Sequence, residues 1–125
     1  MSSVFTKIIQ GEIPCYKIYE DDRTFAFLDI APEAPGHTLV VPKVEVDKVY
    51  DLNDEDYTAV MATVKKLARH LEDVLGERTM IKVVGIDVPH AHVHLLPINE
   101  NWAGERHLKP TEDEMRAMQA KLQLN

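Results

Sequence analysis

Apolar and polar residues repeat with two different periods along this chain, and each period predicts a different kind of element. Between positions 54 and 75, apolar residues recur every three or four positions. This spacing predicts a long amphipathic helix with a single stripe facing a core. Asn53 stands where an N-cap is needed, and Gly76 is a natural stop.

Shorter segments are rich in β-branched and aromatic residues and predict strands. The five predicted strands span 16–20, 24–28, 38–41, 80–84 and 90–96. Asp21 and Asp22 separate the first two, which predicts a hairpin. Short helices are predicted at 4–10 and at 111–122, the second opened by Thr111 and Glu114 at capping-box spacing. The pattern as a whole predicts an α+β fold, with an antiparallel sheet covered on one face by the long helix.

Length and charge narrow the range of functions. The 125 residues are enough for one domain, which we place at 1–125 with residues 110–125 as a C-terminal helical extension. The net charge of −7 argues against a nucleic-acid partner. Cys15 is the only cysteine, so no internal disulfide or cysteine-based zinc cluster can form. No apolar run approaches a membrane span and none is typical of a signal peptide, so we expect a cytoplasmic protein with no membrane partner.

Three alternating histidines, His90, His92 and His94, are the strongest candidates for catalytic residues. On a strand their rings project from one face, about 6.6 Å apart for neighbours, while the apolar residues between them face a core. Only the middle ring can lie opposite the centre of a small substrate group. A neutral imidazole there can attack phosphorus while the flanking rings donate hydrogen bonds to its oxygens.

Two other interpretations of the histidines stay open. The row could be purely structural, although burying three adjacent imidazoles is costly. It could also bind a metal, since two alternate rings can converge on one ion. Further ligands would then have to come from His37, His70 or His107, and nothing in the sequence places these nearby.

Residues 90–96 match the pattern His-φ-His-φ-His-φ-φ, where φ is apolar. With the stretches 5–14, 19–22, 26–30 and 35–43, they resemble the Hint-like branch of the histidine triad family. The resemblance covers about residues 4–98 and includes several independent motifs in the same order. It implies a five-stranded antiparallel sheet with one long helix and short terminal helices. It also implies a homodimer in which two sheets join into one.

The resemblance further implies an enzyme that acts at the α-phosphorus of a purine nucleotide, commonly an adenosine phosphoramidate. Such an enzyme is a nucleotide hydrolase or nucleotidyl transferase and needs no cofactor. His92 would be the nucleophile, carrying the nucleotidyl group as a covalent intermediate. His90 would orient it through its backbone carbonyl, and His94 would contact the phosphate or the leaving group. Asp29 would accept hydrogen bonds from the ribose hydroxyls.

An apolar slot for the base is also implied by the resemblance. Without the family, these residues would be interpreted as ordinary core. The slot residues are Phe5, Ile8, Ile13, Phe27, Leu28 and Ile30.

The chain departs from the family pattern at positions 3 and 6, at position 45, and before the triad, where Ile86 replaces the usual glutamine. Ser3 and Thr6 stand where zinc-bearing relatives have cysteines, and Glu45 stands where a further histidine is common, so we predict no metal site. Asp87 precedes the triad in place of a small or hydroxyl residue. It could donate a proton to a leaving amine, or it could cap the local turn and face solvent.

Two alternative functions remain. The missing glutamine, replaced by Ile86, and the lost histidine at Glu45 are compatible with a non-catalytic nucleotide-binding or dimeric interaction module. A metal-dependent hydrolase is the other alternative, and it requires bound metal for activity.

Overall fold

The computed structural model describes residues 2–98, 102 and 107–124. Their central feature is a five-stranded antiparallel sheet with the strand order β1-β2-β3-β5-β4. The strands are β1 (Lys17–Glu20), β2 (Thr24–Leu28), β3 (Thr38–Pro42), β4 (Arg78–Lys82) and β5 (Val93–Ile98). The predicted α+β class and the five antiparallel strands are confirmed.

Three helices accompany the sheet: α1 (Val4–Ile9), α2 (Asp54–Leu75) and α3 (Glu112–Leu122). The capping signals in the sequence act as predicted. The Asn53 side chain accepts the Asp56 N–H at the start of α2, and Gly76 ends that helix with a φ of 74°. Thr111 and Glu114 form the predicted capping box. No helix among the described residues is long and apolar enough to cross a membrane.

The two faces of the sheet carry different side chains because successive strand residues point in opposite directions. The face under α2 is aliphatic: Val64, Leu67 and Leu71 of the helix share a buried cluster with Val40 and Leu95 of the sheet. The opposite face carries a second cluster, rich in aromatic residues and closed by α1. Its buried members are Phe5, Phe25, Phe27, Leu39 and Val41.

The predicted boundaries of two strands were wrong. β4 runs over 78–82 rather than 80–84, and β5 begins at Val93 rather than at His90. His90 and His92 therefore precede the strand. Tertiary contacts override the local β pattern here, because the Ala91 N–H donates to Val46 O at 2.7 Å and the His92 ring turns back onto His90 O.

A close approach between chain segments fixes the start of β3. Gly36 has a φ of 90°, and a Cβ placed there would lie 2.8 Å from Leu75 Cδ1 and 3.2 Å from Pro97 Cγ. Only glycine suits both the backbone angle and the space. The adjacent His37 is thereby held, 1% exposed, beneath the histidine row.

Candidate active site

His90 is locked by hydrogen bonds at both ring nitrogens. Its Nε2 lies 2.8 Å from Pro42 O, an atom that can only accept, so Nε2 carries the hydrogen. Its Nδ1 is then free to accept from Ser3 Oγ at 2.8 Å. Burial lowers the pKa of His90. This ring is a neutral structural element that faces α1 and the end of β3.

Glu45 holds the residues at the start of α1 that contact His90. Its Oε1 accepts the Ser3 N–H at 2.7 Å and the Thr6 hydroxyl at 2.6 Å. These two hydrogen bonds lower the pKa of Glu45. Ser3 also caps α1 by accepting the Thr6 N–H at 3.0 Å. The three residues that depart from the zinc-bearing pattern thus form a hydrogen-bonded cluster with His90. Its oxygen atoms lack the thiolates that favour a structural zinc ion, so the cluster does not fit one.

His92 has one nitrogen fixed and one left over. Its Nδ1 lies 2.7 Å from His90 O and must donate to that carbonyl. The lone pair of the neutral ring is therefore on Nε2, which is buried without a hydrogen-bond partner among the described atoms. The Phe5 ring packs edge-on against the imidazole at 4.9 Å. A buried, oriented and unpartnered lone pair is what a nucleophile requires.

His94 presents a hydrogen-bond donor at Nε2, whereas His92 presents a lone pair there. The Glu33 N–H donates to His37 Nδ1 at 3.1 Å, so the hydrogen of His37 is on Nε2. That atom lies 2.9 Å from His94 Nδ1 and donates to it, which leaves the His94 hydrogen on Nε2. His94 Nε2 also has no partner among the described atoms. Burial, helped by His37 and His92, lowers the pKa of His94 to about 4, so at neutral pH it is an uncharged donor.

His37 was not assigned a role from the sequence, and the structure places it directly behind His94. The signal that could have found it is topological, since residue 37 immediately precedes β3, and β3 pairs with β5. Asp29 lies on its other side, with Oδ2 3.6 Å from His37 Nε2. Asp29 Oδ1 accepts the Ala31 N–H at 2.9 Å, so the carboxylate is held at the edge of the site.

Asp87 lies against the reactive edge of His92. Its Oδ1 is 3.2 Å from His92 Nε2, although the two atoms are not aligned as a hydrogen bond. The Asp87 side chain is 52% exposed, whereas that of His92 is 1% exposed. The predicted catalytic residues 87, 90, 92 and 94 are thus adjacent, with distinct surroundings.

Two groups of side chains have ligand atoms within 4.8 Å of one another and so have the spacing of a metal site: Asp87, His92 and His94, and Asp29, His37 and His94. The hydrogen-bond pattern opposes both. A metal needs a lone pair, but the hydrogens of His37 and His94 occupy their Nε2 atoms in the chain that starts at the Glu33 N–H. The same pattern suits an oxyanion, which accepts hydrogen bonds.

The structure separates the residues predicted to form the base slot. Phe5 and Phe27 share the aromatic cluster with Ile8 at its edge. Leu28 does not join them, because it follows Phe27 in β2 and points into the core under α2. Ile30 is 75% exposed, and Ile13 is half-buried outside both clusters.

A cavity of about 170 Å³ lies between the loop after β2 and helix α3. Leu28 and Asp29 are the only predicted slot or ribose residues that line it, together with His37. The other lining residues are Pro32, Pro35, Gly36, Leu108, Pro110, Glu114, Met115 and Met118.

Comparison with known proteins places this geometry in a family. The HIT domain matches residues 10–101. Protein hit of Bacillus subtilis is 40% identical over 100 residues, covering 75% of this chain and 69% of that protein. The chain belongs to the HIT domain family, the histidine triad proteins, which confirms the resemblance seen in the sequence.

Relatives and solved structures add detail within the family. The adenosine 5'-monophosphoramidase hnt1 of Schizosaccharomyces pombe is 39% identical over 101 residues, covering 78% of this chain and 74% of that enzyme. A Hit-like protein from Bartonella henselae, described as involved in cell-cycle regulation, superposes with a TM-score of 0.89 at 29% identity, covering 97% and 93% of the two chains. A zinc-bound histidine triad protein from Mycobacterium smegmatis superposes with a TM-score of 0.83 at 30% identity, covering 98% of this chain and 94% of that chain.

Proposed function

We propose that this protein is a nucleotide phosphoramidate hydrolase that acts at the α-phosphorus through a nucleotidyl intermediate on His92. The observation that carries the proposal is the buried, unpartnered Nε2 of His92, whose lone pair is fixed by the Nδ1 hydrogen bond to His90 O. The similarity to an adenosine 5'-monophosphoramidase supports the same reaction class.

The cycle consists of two displacements. In the first, His92 Nε2 forms a bond to phosphorus as the bond to the leaving amine breaks. In the second, water attacks phosphorus and His92 leaves, which releases the nucleoside monophosphate. A transferase reaction results where another nucleophile replaces water. His94 Nε2–H donates to a phosphoryl oxygen and stabilises the charge that develops in both steps.

Nucleotide binding is assigned to the residues around this centre. Asp29 accepts hydrogen bonds from the ribose hydroxyls, and Phe5, Ile8 and Phe27 form an apolar wall that suits a purine base. An unpartnered donor on His94 and an unpartnered acceptor on His92 lie beside this apolar wall. This combination suits a nucleotide, which has a polar phosphate and an apolar base.

We also propose a homodimer that joins two sheets through β4. This strand is at one end of the sheet, while β1 at the other end is covered by the chain after α3, whose Leu124 N–H donates to Ile18 O. Exposed apolar residues on and after β4 support the proposal: Ile81, Val83, Val84 and Ile86.

Sedimentation should give twice the chain mass, and Ile81→Lys should give the monomer mass. A monomeric parent protein contradicts the dimer.

The function is tested by incubating the protein with an adenosine phosphoramidate and measuring released adenosine monophosphate. We expect turnover by the parent protein and none by His92→Ala. A parent protein without turnover contradicts the proposal.

A non-catalytic nucleotide-binding module is the second candidate, and one observation favours it: the Asp87 carboxylate occupies the space in front of His92 Nε2. Such a module would be stabilised thermally by adenosine monophosphate, yet would turn over no phosphoramidate or dinucleotide.

A further inference from the structure

Asp87 faces the reactive nitrogen of His92 in the free protein. His92 Nδ1 keeps its hydrogen because it donates to His90 O, so a neutral ring presents a lone pair at Nε2. Asp87 Oδ1 lies 3.2 Å from that lone pair. Asp87 therefore stands directly in front of the reactive nitrogen in the free protein.

The other titratable groups around the reactive nitrogen are neutral or paired. His94 is neutral and offers its own hydrogen, while His90 is neutral and bonded at both nitrogens. Lys82 is bound to Glu33 at 2.9 Å. Among the described neighbours, Asp87 is the group that faces the reactive nitrogen.

Asp87 also occupies the position that a substrate must take. A reacting phosphorus has to come within about 3–3.5 Å of the nucleophile, which is the space now filled by the carboxylate. The Asp87 side chain is half exposed, and it follows Gly85, whose φ is 77°. Residues 83–89 form neither helix nor strand, so no strand pairing restrains the loop around Asp87.

We propose that Asp87 caps His92 in the free protein and that, when a nucleotide displaces it, its carboxyl group delivers a proton taken up from solvent to the leaving amine. This inference rests on the proposed function and deepens it.

The proton and electron pairs balance in this scheme. His92 Nε2 uses its lone pair to form the bond to phosphorus. The bond from phosphorus to nitrogen breaks, and its electron pair accepts the proton from the Asp87 carboxyl group. Asp87 is then a carboxylate and can accept a proton from the attacking water in the second displacement.

The scheme makes Asp87 a residue that determines leaving-group specificity. An alkylamine leaves as a neutral molecule only if it is protonated, so its departure depends on Asp87. A nitrophenolate leaves as a stable anion and needs no such proton. The same carboxylate competes with bound phosphate in the free protein, so its removal should strengthen nucleotide binding.

The experiment compares two adenosine 5'-phosphoryl substrates, one with an alkylamine leaving group and one with 4-nitrophenolate. For Asp87→Asn we expect kcat/KM to fall about 100-fold with the amine and less than about 10-fold with the nitrophenolate, the range expected of a general acid. Asp73→Asn, an exposed aspartate on α2, serves as the matched control and should change neither rate. Calorimetry with adenosine monophosphate should show tighter binding by Asp87→Asn.

Each outcome has a defined meaning. Equal losses with the two substrates, or no loss with either, overturn the role of Asp87 as proton donor. Unchanged or weaker binding of adenosine monophosphate overturns the cap. Asp87→Ala, which leaves neither a carboxyl nor a hydroxyl group at this position, should reproduce the split between substrates, so the result does not depend on the folding of a single variant. If the parent protein turns over neither substrate, the proposed function fails, and the role of Asp87 fails with it.

Discussion

The first and the middle histidines of the row are equally buried but differ in their hydrogen bonds. His90 is 0% exposed and His92 is 2% exposed. Both ring nitrogens of His90 have partners, in Ser3 and Pro42, whereas Nε2 of His92 has no hydrogen bond. A buried polar atom without a partner costs about 1–3 kcal/mol. The comparison shows that hydrogen bonding, rather than spacing or burial, separates a supporting imidazole from one reserved for substrate.

Removal of the His92 imidazole should have the largest effect of the variants considered. His92→Ala should lower kcat/KM for an adenosine phosphoramidate by about a thousandfold or more, because no other group can form the covalent intermediate. Its melting temperature should stay near that of the parent protein. His70→Ala is the control and should retain activity, since the His70 ring contacts Leu122 O at the end of α3 rather than the histidine row. Substantial turnover by His92→Ala contradicts the assignment.

The pH dependence of stability tests the neutral state of the buried rings. Burial lowers the pKa of His37 and His90, and lowers that of His94 to about 4 from 6.5. The unfolded chain therefore binds more protons than the folded chain in this interval, so stability falls as pH drops from 6.5 towards 4. His94 alone accounts for up to about 3 kcal/mol of this loss.

Urea unfolding at a series of pH values measures the effect. The loss should be smaller in His94→Asn, which has no imidazole at this position. A free energy of unfolding that stays constant or rises between pH 6.5 and pH 5 would show that the rings are not held neutral.

The smallest expected effect concerns the supporting side of the comparison. Ser3→Ala removes both the cap of α1 and the hydrogen-bond donor to His90 Nδ1, and should destabilise the fold by about 1–2 kcal/mol. Turnover should fall much less than in His92→Ala, since Ser3 acts only through His90. Ser3→Thr keeps the hydroxyl and should recover most of the stability. If Ser3→Ala instead abolishes activity in a fully stable protein, His90 has a direct chemical role.

Local signals predicted the elements of the fold well. The long helix with its Asn53 cap, the hairpin and the capping box at Thr111 each depend on residues close together in the chain. The start of β5 was predicted wrongly because contacts with Val46 and Pro42, distant in sequence, hold the chain before Val93. Strand alternation turns Leu28 away from Phe27, although the family resemblance assigns both to the base slot.

The site was predicted only in part for the same physical reason. The triad and Asp29 could be assigned roles through a family resemblance. The sequence could not show which nitrogen of each ring carries the hydrogen. That depends on partners such as the Glu33 N–H and His37, and only the pairing of β3 with β5 brings these to His94. The proximity of Asp87 to His92 Nε2 likewise depends on the path of the loop after Gly85.

The most direct test of the central claim is mass spectrometry of the protein quenched during turnover of an adenosine phosphoramidate, at a pH that preserves a bond between phosphorus and nitrogen. The account predicts one adenylyl group per chain, located on His92 in the peptide that contains the triad. A quenched protein that turns substrate over but carries no adenylyl group, or carries it on His94 or another residue, would contradict the account.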